Sequence, residues 1–125
     1  GTMEHAQVSV SISLPWPPST NRIWRNFGGR QVIAKPVRMW REKALAEALR
    51  QGPAGFGDAK VGVELWLYPP TRRALDIDNR AKAVLDMLQD AKVFDDDNQV
   101  DVLIIQRGEI QKGGRAVVKV WKLDP

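Results

Sequence analysis

The 125-residue sequence contains no cysteine and a single histidine, His5. Without thiols there can be no disulfide, no cysteine nucleophile and no cysteine-based zinc site. His5 lies within Gly1-Thr2-Met3-Glu4-His5, where Gly1-Thr2 reads as the scar of a removed tag. Residues 1–6 are therefore expected to be tag remnant and disordered N-terminus. Any metal must be held by oxygen, which favours magnesium, manganese or calcium over zinc or copper. No apolar run approaches the ~20 residues that span a bilayer, so no membrane partner and a cytoplasmic location are expected. There are no internal repeats and no low-complexity linker. A hydrophobic content of 43% and a charged content of 27% suit one folded domain over residues 1–125.

What the chain does have is unevenly placed charge. Its net charge is +4, yet seven bases (Arg22, Arg25, Arg30, Lys35, Arg38, Arg41, Lys43) face one acid, Glu42, between residues 22 and 43. Eight of the 15 acids fall between Asp76 and Asp101. Such runs are usually two solvated faces of opposite sign. Here the acids instead include an Asp76-x-Asp78 and an Asp95-Asp96-Asp97 at the edges of expected elements. Carboxylates crowded in this way repel one another unless a cation sits between them.

Hydrophobic periodicity places those acids. Val8, Val10, Ile12 and Leu14 alternate with serines as a strand, which Pro15-Trp16-Pro17-Pro18 ends. Residues 20–31 are polar and basic and read as a surface loop. Within it, Arg22, Arg25 and Arg30 interleave with Trp24 and Phe27, as suits nucleic-acid contact by charge and stacking; packing of Trp24 under its own loop is an equal alternative. Residues 36–51 read as a helix with Trp40, Ala44, Leu45, Ala48 and Leu49 as its buried stripe, stopped by Gly52-Pro53. Residues 60–68 form a second strand. A second helix is expected over 78–91, with Asp78 able to cap it and Ala81, Val84, Leu85 and Leu88 facing inward. A third strand follows from Val100, and Lys112-Gly113-Gly114-Arg115 signals a hairpin into a fourth. The order β-α-β-α-β-β predicts an α+β fold: a mixed four-stranded β-sheet with two helices packed on one face, leaving the other face for water, DNA or a second subunit.

Asp76 and Asp78 flank Ile77, which can anchor them, and Asp97 is the obvious third oxygen donor if the third strand begins next to the end of the second. Asp86 lies two turns beyond Asp78, about 12 Å along the helix, and suits a partner of Lys82 or of an arginine. Asp95-x-Asp97-x-Gln99 opens like a calcium-binding EF-hand loop but has Val100 where glycine is required and Gln106 where glutamate is required, so that assignment fails. The Asp-x-Asp of manganese-dependent glycosyltransferases occurs in much larger enzymes. If Asp78 only caps a helix and the other acids make surface ion pairs, the chain is an unrelated α+β protein that binds no metal.

Leu14-Pro15-Trp16-Pro17-Pro18-Ser19 with Asn21-Arg22, then Asp76-Ile77-Asp78-Asn79 with Lys82 and Asp86, then Asp96-Asp97 with Gln99, and Lys112-Gly113-Gly114-Arg115 occur in this order across almost the whole chain. In this pattern the sequence resembles the RusA-like Holliday junction resolvases, often carried by prophages. The resemblance implies a bacterial or phage-encoded homodimeric endodeoxyribonuclease that cuts four-way, branched DNA with Mg2+ or Mn2+ and needs no organic cofactor. It places the metal-binding catalytic acids on Asp76, Asp78 and Asp97, with Asp96 one residue away as the alternative, and the catalytic lysine on Lys82. Asn79, Asp86 and Asp96 are the supporting residues, and Arg22, Arg25, Arg30, Lys35, Arg72, Arg73 and Arg80 the candidate DNA contacts. A DNA-binding module without catalysis is the alternative function.

Overall fold

The computed structural model describes residues 8–19, 24–27, 30–33 and 35–124, the two short internal segments by backbone only. Residues 1–6, Asn21, Arg22 and the side chains of Arg25 and Arg30 lie outside the described residues.

β1 (Ser9–Leu14) buries Val10, Ile12 and Leu14 and turns Ser9 and Ser11 to solvent, as its period-2 pattern requires. Residues 20–31 do not stay a loop throughout. β2 (Trp24–Phe27) and β3 (Arg30–Ile33) pair antiparallel as a separate two-stranded ribbon. Helix α1 (Lys35–Arg50) follows and buries Val37, Trp40, Ala44 and Ala48. Leu49, expected in that stripe, is 56% exposed: the buried positions 37, 40, 44 and 48 set the inward face, and 49 is a hundred degrees round from it.

β4 (Val61–Tyr68) is the central strand. The sheet runs β1-β6-β4-β5, where β5 is Val100–Arg107 and β6 is Arg115–Lys122. β6 is antiparallel to both β1 and β4, whereas β4 and β5 are parallel. Lys112-Gly113-Gly114-Arg115 therefore turns the chain without making a hairpin, because β4 lies between the two strands it joins. Gly113 (φ 80°) and Gly114 (φ 73°) hold the left-handed conformation that this turn requires.

Parallel neighbours cannot be joined by a tight turn, so the chain recrosses through helix α2 (Ala81–Asp90). Ala81, Ala83, Val84, Met87 and Leu88 of α2 share one core with Trp40, Ala44 and Ala48 of α1 and with Ile12, Leu14, Val63, Leu65, Val118 and Val120 of the sheet. Both helices thus cover the same face, giving the expected α+β arrangement. Phe94, wholly buried in the turn after α2, is the largest of the fully buried side chains. Replacing Phe94 by alanine is expected to cost about 3–5 kcal/mol in a urea unfolding titration; a loss under about 1 kcal/mol would show that this turn does not depend on its anchor.

Candidate active site

The acidic residues sit at the two ends of the α2 crossover. Asp76-Ile77-Asp78 precedes it, Ile77 packing against the core while both aspartates point outward as exposed side chains. Asp78 opens a 3-10 turn (Asp78–Arg80) that leads into α2, and neither helical start has a side-chain cap. The capping role that would make Asp78 purely structural is thus absent. Neither Asp76 nor Asp78 makes an ion pair or side-chain hydrogen bond among the described residues. Two unpaired carboxylates beside one another are not surface ion pairs.

The second acidic segment is built differently. Asp96 is the N-cap of a short 3-10 turn (Asp97–Gln99), its carboxylate accepting from the Asn98 N–H at 2.9 Å. Gln99 is buried and uses its whole amide. Its oxygen accepts from the Asp95 and Asp96 N–H groups at 2.9 and 2.7 Å, and its nitrogen donates to the Gly57 and Ala59 carbonyls at 2.8 and 2.7 Å. The Asp97 N–H donates to the Gln89 side-chain oxygen, tying the turn to α2. With Asp96 engaged as a cap, Asp97 is the carboxylate turned toward the crossover.

There it meets Lys82. The ammonium donates to Asp97 Oδ2 at 2.9 Å and stands 3.0 Å from Asp86 Oδ1, one helical turn along. The Asp97 hydrogen bond first, and the Asp86 bond second, hold the Lys82 pKa above its ordinary value, so this side chain is a cation at neutral pH. Asp86 also accepts from Arg41 of α1 at 3.3 Å, and Arg41 reaches Asp90 at 3.9 Å. Asp97, Lys82, Asp86 and Arg41 thus form a row of alternating charge across both helices. Arg41 is half-buried in it.

One expectation fails. The parallel register pairs Val61 with Val100, so β5 begins beside the start of β4 and not beside its end. Asp97 therefore approaches along the flank of α2, while Leu75, adjacent to Asp76, is held at the other end of β5 by Arg107, which donates to its carbonyl at 2.8 Å. Among the described residues no three acids are grouped closely enough to share one ion. The donor set itself, carboxylate oxygens alone, suits a hard divalent cation such as Mg2+. The Lys82 ammonium, gripped by two carboxylates, marks where positive charge is already held.

Arg72, Arg73 and Lys35 are exposed, as phosphate contacts must be. Arg80 is not free to join them. Its guanidinium stacks on the Trp16 ring at 4.7 Å and donates to the Pro17 carbonyl, and burial there lowers its pKa. Trp16 lies against Gly114, where an added Cβ would come within 2.9 Å of the indole's own Cβ. The Pro15 carbonyl accepts from the Trp40 indole at 3.0 Å. Three sequence-distant motifs are thereby clamped beside the start of α2. Arg41 is the one participant in the charge row that sequence reasoning left outside the site; its spacing gave no signal, because its partners lie on another helix. Replacing Gln99 by leucine would remove four part-buried hydrogen bonds and leave the Asp96 N–H and the Ala59 carbonyl without these partners, while the Asp95 N–H and the Gly57 carbonyl keep each other, with an expected loss of at least about 1 kcal/mol in chemical denaturation; an unchanged midpoint would show that the turn stands without the amide.

The profile for endodeoxyribonuclease RusA matches residues 15–121. The crossover junction endodeoxyribonuclease RusA of Escherichia coli K12 is 32% identical over 116 residues, covering 92% of this chain and 96% of the relative. The crossover junction endodeoxyribonucleases of Enterobacteria phage 82 (33% over 113 residues, 90% and 93% of the two chains) and phage HK97 (32% over 112 residues, 89% and 92%) are similarly close. A solved chain of an empty FtsZ dimer from M. jannaschii overlaps at a TM-score of 0.39 and 11% identity, covering 92% of this chain and 26% of that one, too slight a likeness to bear on the fold. A profile spanning both helices and both acidic segments, together with relatives matched nearly end to end, settles the lineage: the chain belongs to the RusA family of endodeoxyribonucleases.

Proposed function

We propose that this protein is a divalent-metal-dependent endodeoxyribonuclease that resolves four-way DNA junctions by paired nicks, acting as a homodimer. The observation that supports it best is the Lys82–Asp97 contact, which joins the segment carrying Asp76 and Asp78 to the one carrying Asp97 in a chain of this family. Asp76, Asp78 and Asp97 are the residues that would hold Mg2+ or Mn2+, and since the three are not grouped in this structure, sharing one ion requires Asp97 to exchange Lys82 for the metal and close toward the other two. When bound, the ion supplies an acidified water and neutralises phosphate charge.

The chain's own residues supply the rest. Lys82 carries a fixed positive charge one turn beyond Asp78, suited to offsetting the negative charge that grows on a phosphate oxygen under attack. Asp86 and Arg41 set the height of that ammonium on the helix. Arg72, Arg73 and Lys35 are free to hold flanking phosphates, which position DNA without reading its sequence. Arg80 contributes indirectly, by fixing the proline-rich segment against α2. A four-way junction has approximate two-fold symmetry and needs two matched cuts, whereas one chain carries one such acidic set, so a two-fold pair of chains is the economical arrangement.

Two outcomes are expected from Asp78→Asn. Junction cutting in Mg2+ falls by at least about 100-fold, while retardation of a labelled junction in a gel is kept or strengthened because a repulsive charge has been removed. Cutting at the unaltered rate would refute the site assignment, and retardation by the unmodified protein with no product in Mg2+ or Mn2+ would refute catalysis altogether. Calorimetric titration should show saturable Mn2+ uptake that disappears in Asp76→Asn; uptake that survives this change would place the metal elsewhere.

A further inference from the structure

Between the end of β4 and the 3-10 turn that opens at Asp78, the chain has few ties to the rest of the molecule. Pro69 is held through its carbonyl, which accepts from the Gln111 N–H at 2.9 Å, and Ile77 packs against the core. Thr71, Arg72, Arg73, Ala74 and Asp76 are exposed and belong to no helix or strand. A hydrogen bond from the Arg73 N–H to Thr71 Oγ1, at 3.3 Å, stays within the stretch. Among the described residues, a single hydrogen bond reaches residues 71–76 from elsewhere. Arg107, the last residue of β5, donates it to the Leu75 carbonyl at 2.8 Å. A segment so lightly held opens readily unless that bond restrains it.

Donor and acceptor are both placed to matter. β4 and β5 are parallel and Leu67 pairs with Arg107, so the two strands finish at the same end of the sheet, where the chain leaves β4. Next to Arg107, the Gly108 N–H donates to the Leu67 carbonyl at 2.7 Å. The Tyr68 ring lies so close over Gly108 that an added Cβ would come within 2.4 Å of it. These contacts fix the backbone from which the guanidinium reaches. At the other end of the bond, the Leu75 carbonyl and the Asp76 N–H belong to one planar peptide unit. Holding the oxygen therefore holds the plane from which Asp76 departs, and only the φ and side-chain torsions of Asp76 are left to turn.

We propose that Arg107 is a positioning residue: by gripping the Leu75 carbonyl it holds Asp76 in the orientation that receives the divalent cation, a role that rests on the assignment of Asp76 as a ligand proposed above. Two other roles for an exposed arginine at this place differ from it in sign or in readout. A bare positive charge near a cation site repels the ion, so its removal would tighten metal uptake. A phosphate contact would leave metal uptake unchanged and weaken junction binding. Positioning predicts weaker uptake with no DNA present, because an unsupported ligand has to be ordered as the ion binds.

Arg107 is exposed, so Arg107→Ala is expected to fold and to keep the urea midpoint of the unaltered protein. Calorimetric titration of this variant with Mn2+, without DNA, should show affinity lowered about tenfold, the smaller end of what losing a ligand's supporting hydrogen bond costs. Arg107→Lys keeps a cationic donor and should recover part of that loss. Trypsin gives a readout that involves no metal: cleavage after Arg72 and Arg73 should quicken about fivefold in Arg107→Ala, because the stretch opens more often. Mn2+ uptake by Arg107→Ala that equals or exceeds that of the unaltered protein would overturn the proposal. So would a lysine variant as weak as the alanine one, or tryptic cleavage at an unchanged rate. Uptake that survives Asp76→Asn refutes the ligand assignment and the proposal with it, whereas uptake lost in Asp76→Asn and kept in Arg107→Ala refutes the proposal alone.

Discussion

Parallel pairing of β4 with β5 obliges the intervening chain to recross the sheet, and that recrossing carries every acid assigned to the site. Asp76 and Asp78 stand where the crossover begins, and Asp97 where it ends. Between them α2 is bound to the sheet by a continuous apolar face, so the spacing of the two acidic segments follows from a buried helix of fixed length. Lys82 spans them from the solvent side of that helix. Its two carboxylate partners keep it charged and pointed at Asp97, and the same Asp86 draws α1 into the arrangement through Arg41.

The supports of this site are conformational as well as electrostatic. The Gln99 amide fixes the turn that presents Asp97, and Asp96 caps that turn, which separates the roles of two adjacent aspartates that sequence alone leaves interchangeable. On the other side, the stack of Arg80 on Trp16, with Gly114 permitting the close approach, anchors the proline-rich segment. An arginine that sequence reasoning offers to DNA is thereby committed to holding the fold beside the site.

Much of the fold was legible in the residues. The serine-spaced β1, the apolar alternation of β4 and the inward face of α2 are periodic enough to fix element type and burial, and the helix-stopping Gly52-Pro53 follows α1 at once. What was not legible is pairing. Nothing local tells β5 to lie parallel to β4 and starting beside its start, so the expected approach of Asp97 over the end of β4 was wrong although its element was right. The hairpin expected at Gly113-Gly114 failed for the same reason, since β4 is inserted between the strands it would join. The β2–β3 ribbon escaped notice because each strand is four residues long and its basic composition reads as loop, even though Gly28-Gly29 sits between its Trp24-Phe27 and Val32-Ile33 ends. Of the candidate site, the contact of Lys82 with Asp86 follows from helical spacing, whereas Arg41 belongs to it only through tertiary packing.

The central claim is that the two acidic segments and Lys82 make one centre for cutting branched DNA. The most direct measurement compares a four-way junction with a linear duplex of the same sequence, each incubated with the purified protein in Mg2+ and then with the ion chelated. Symmetric nicks in the junction that vanish on chelation, with the duplex left intact, are the expected result. A junction left whole, or a duplex cut as readily as the junction, would contradict the account.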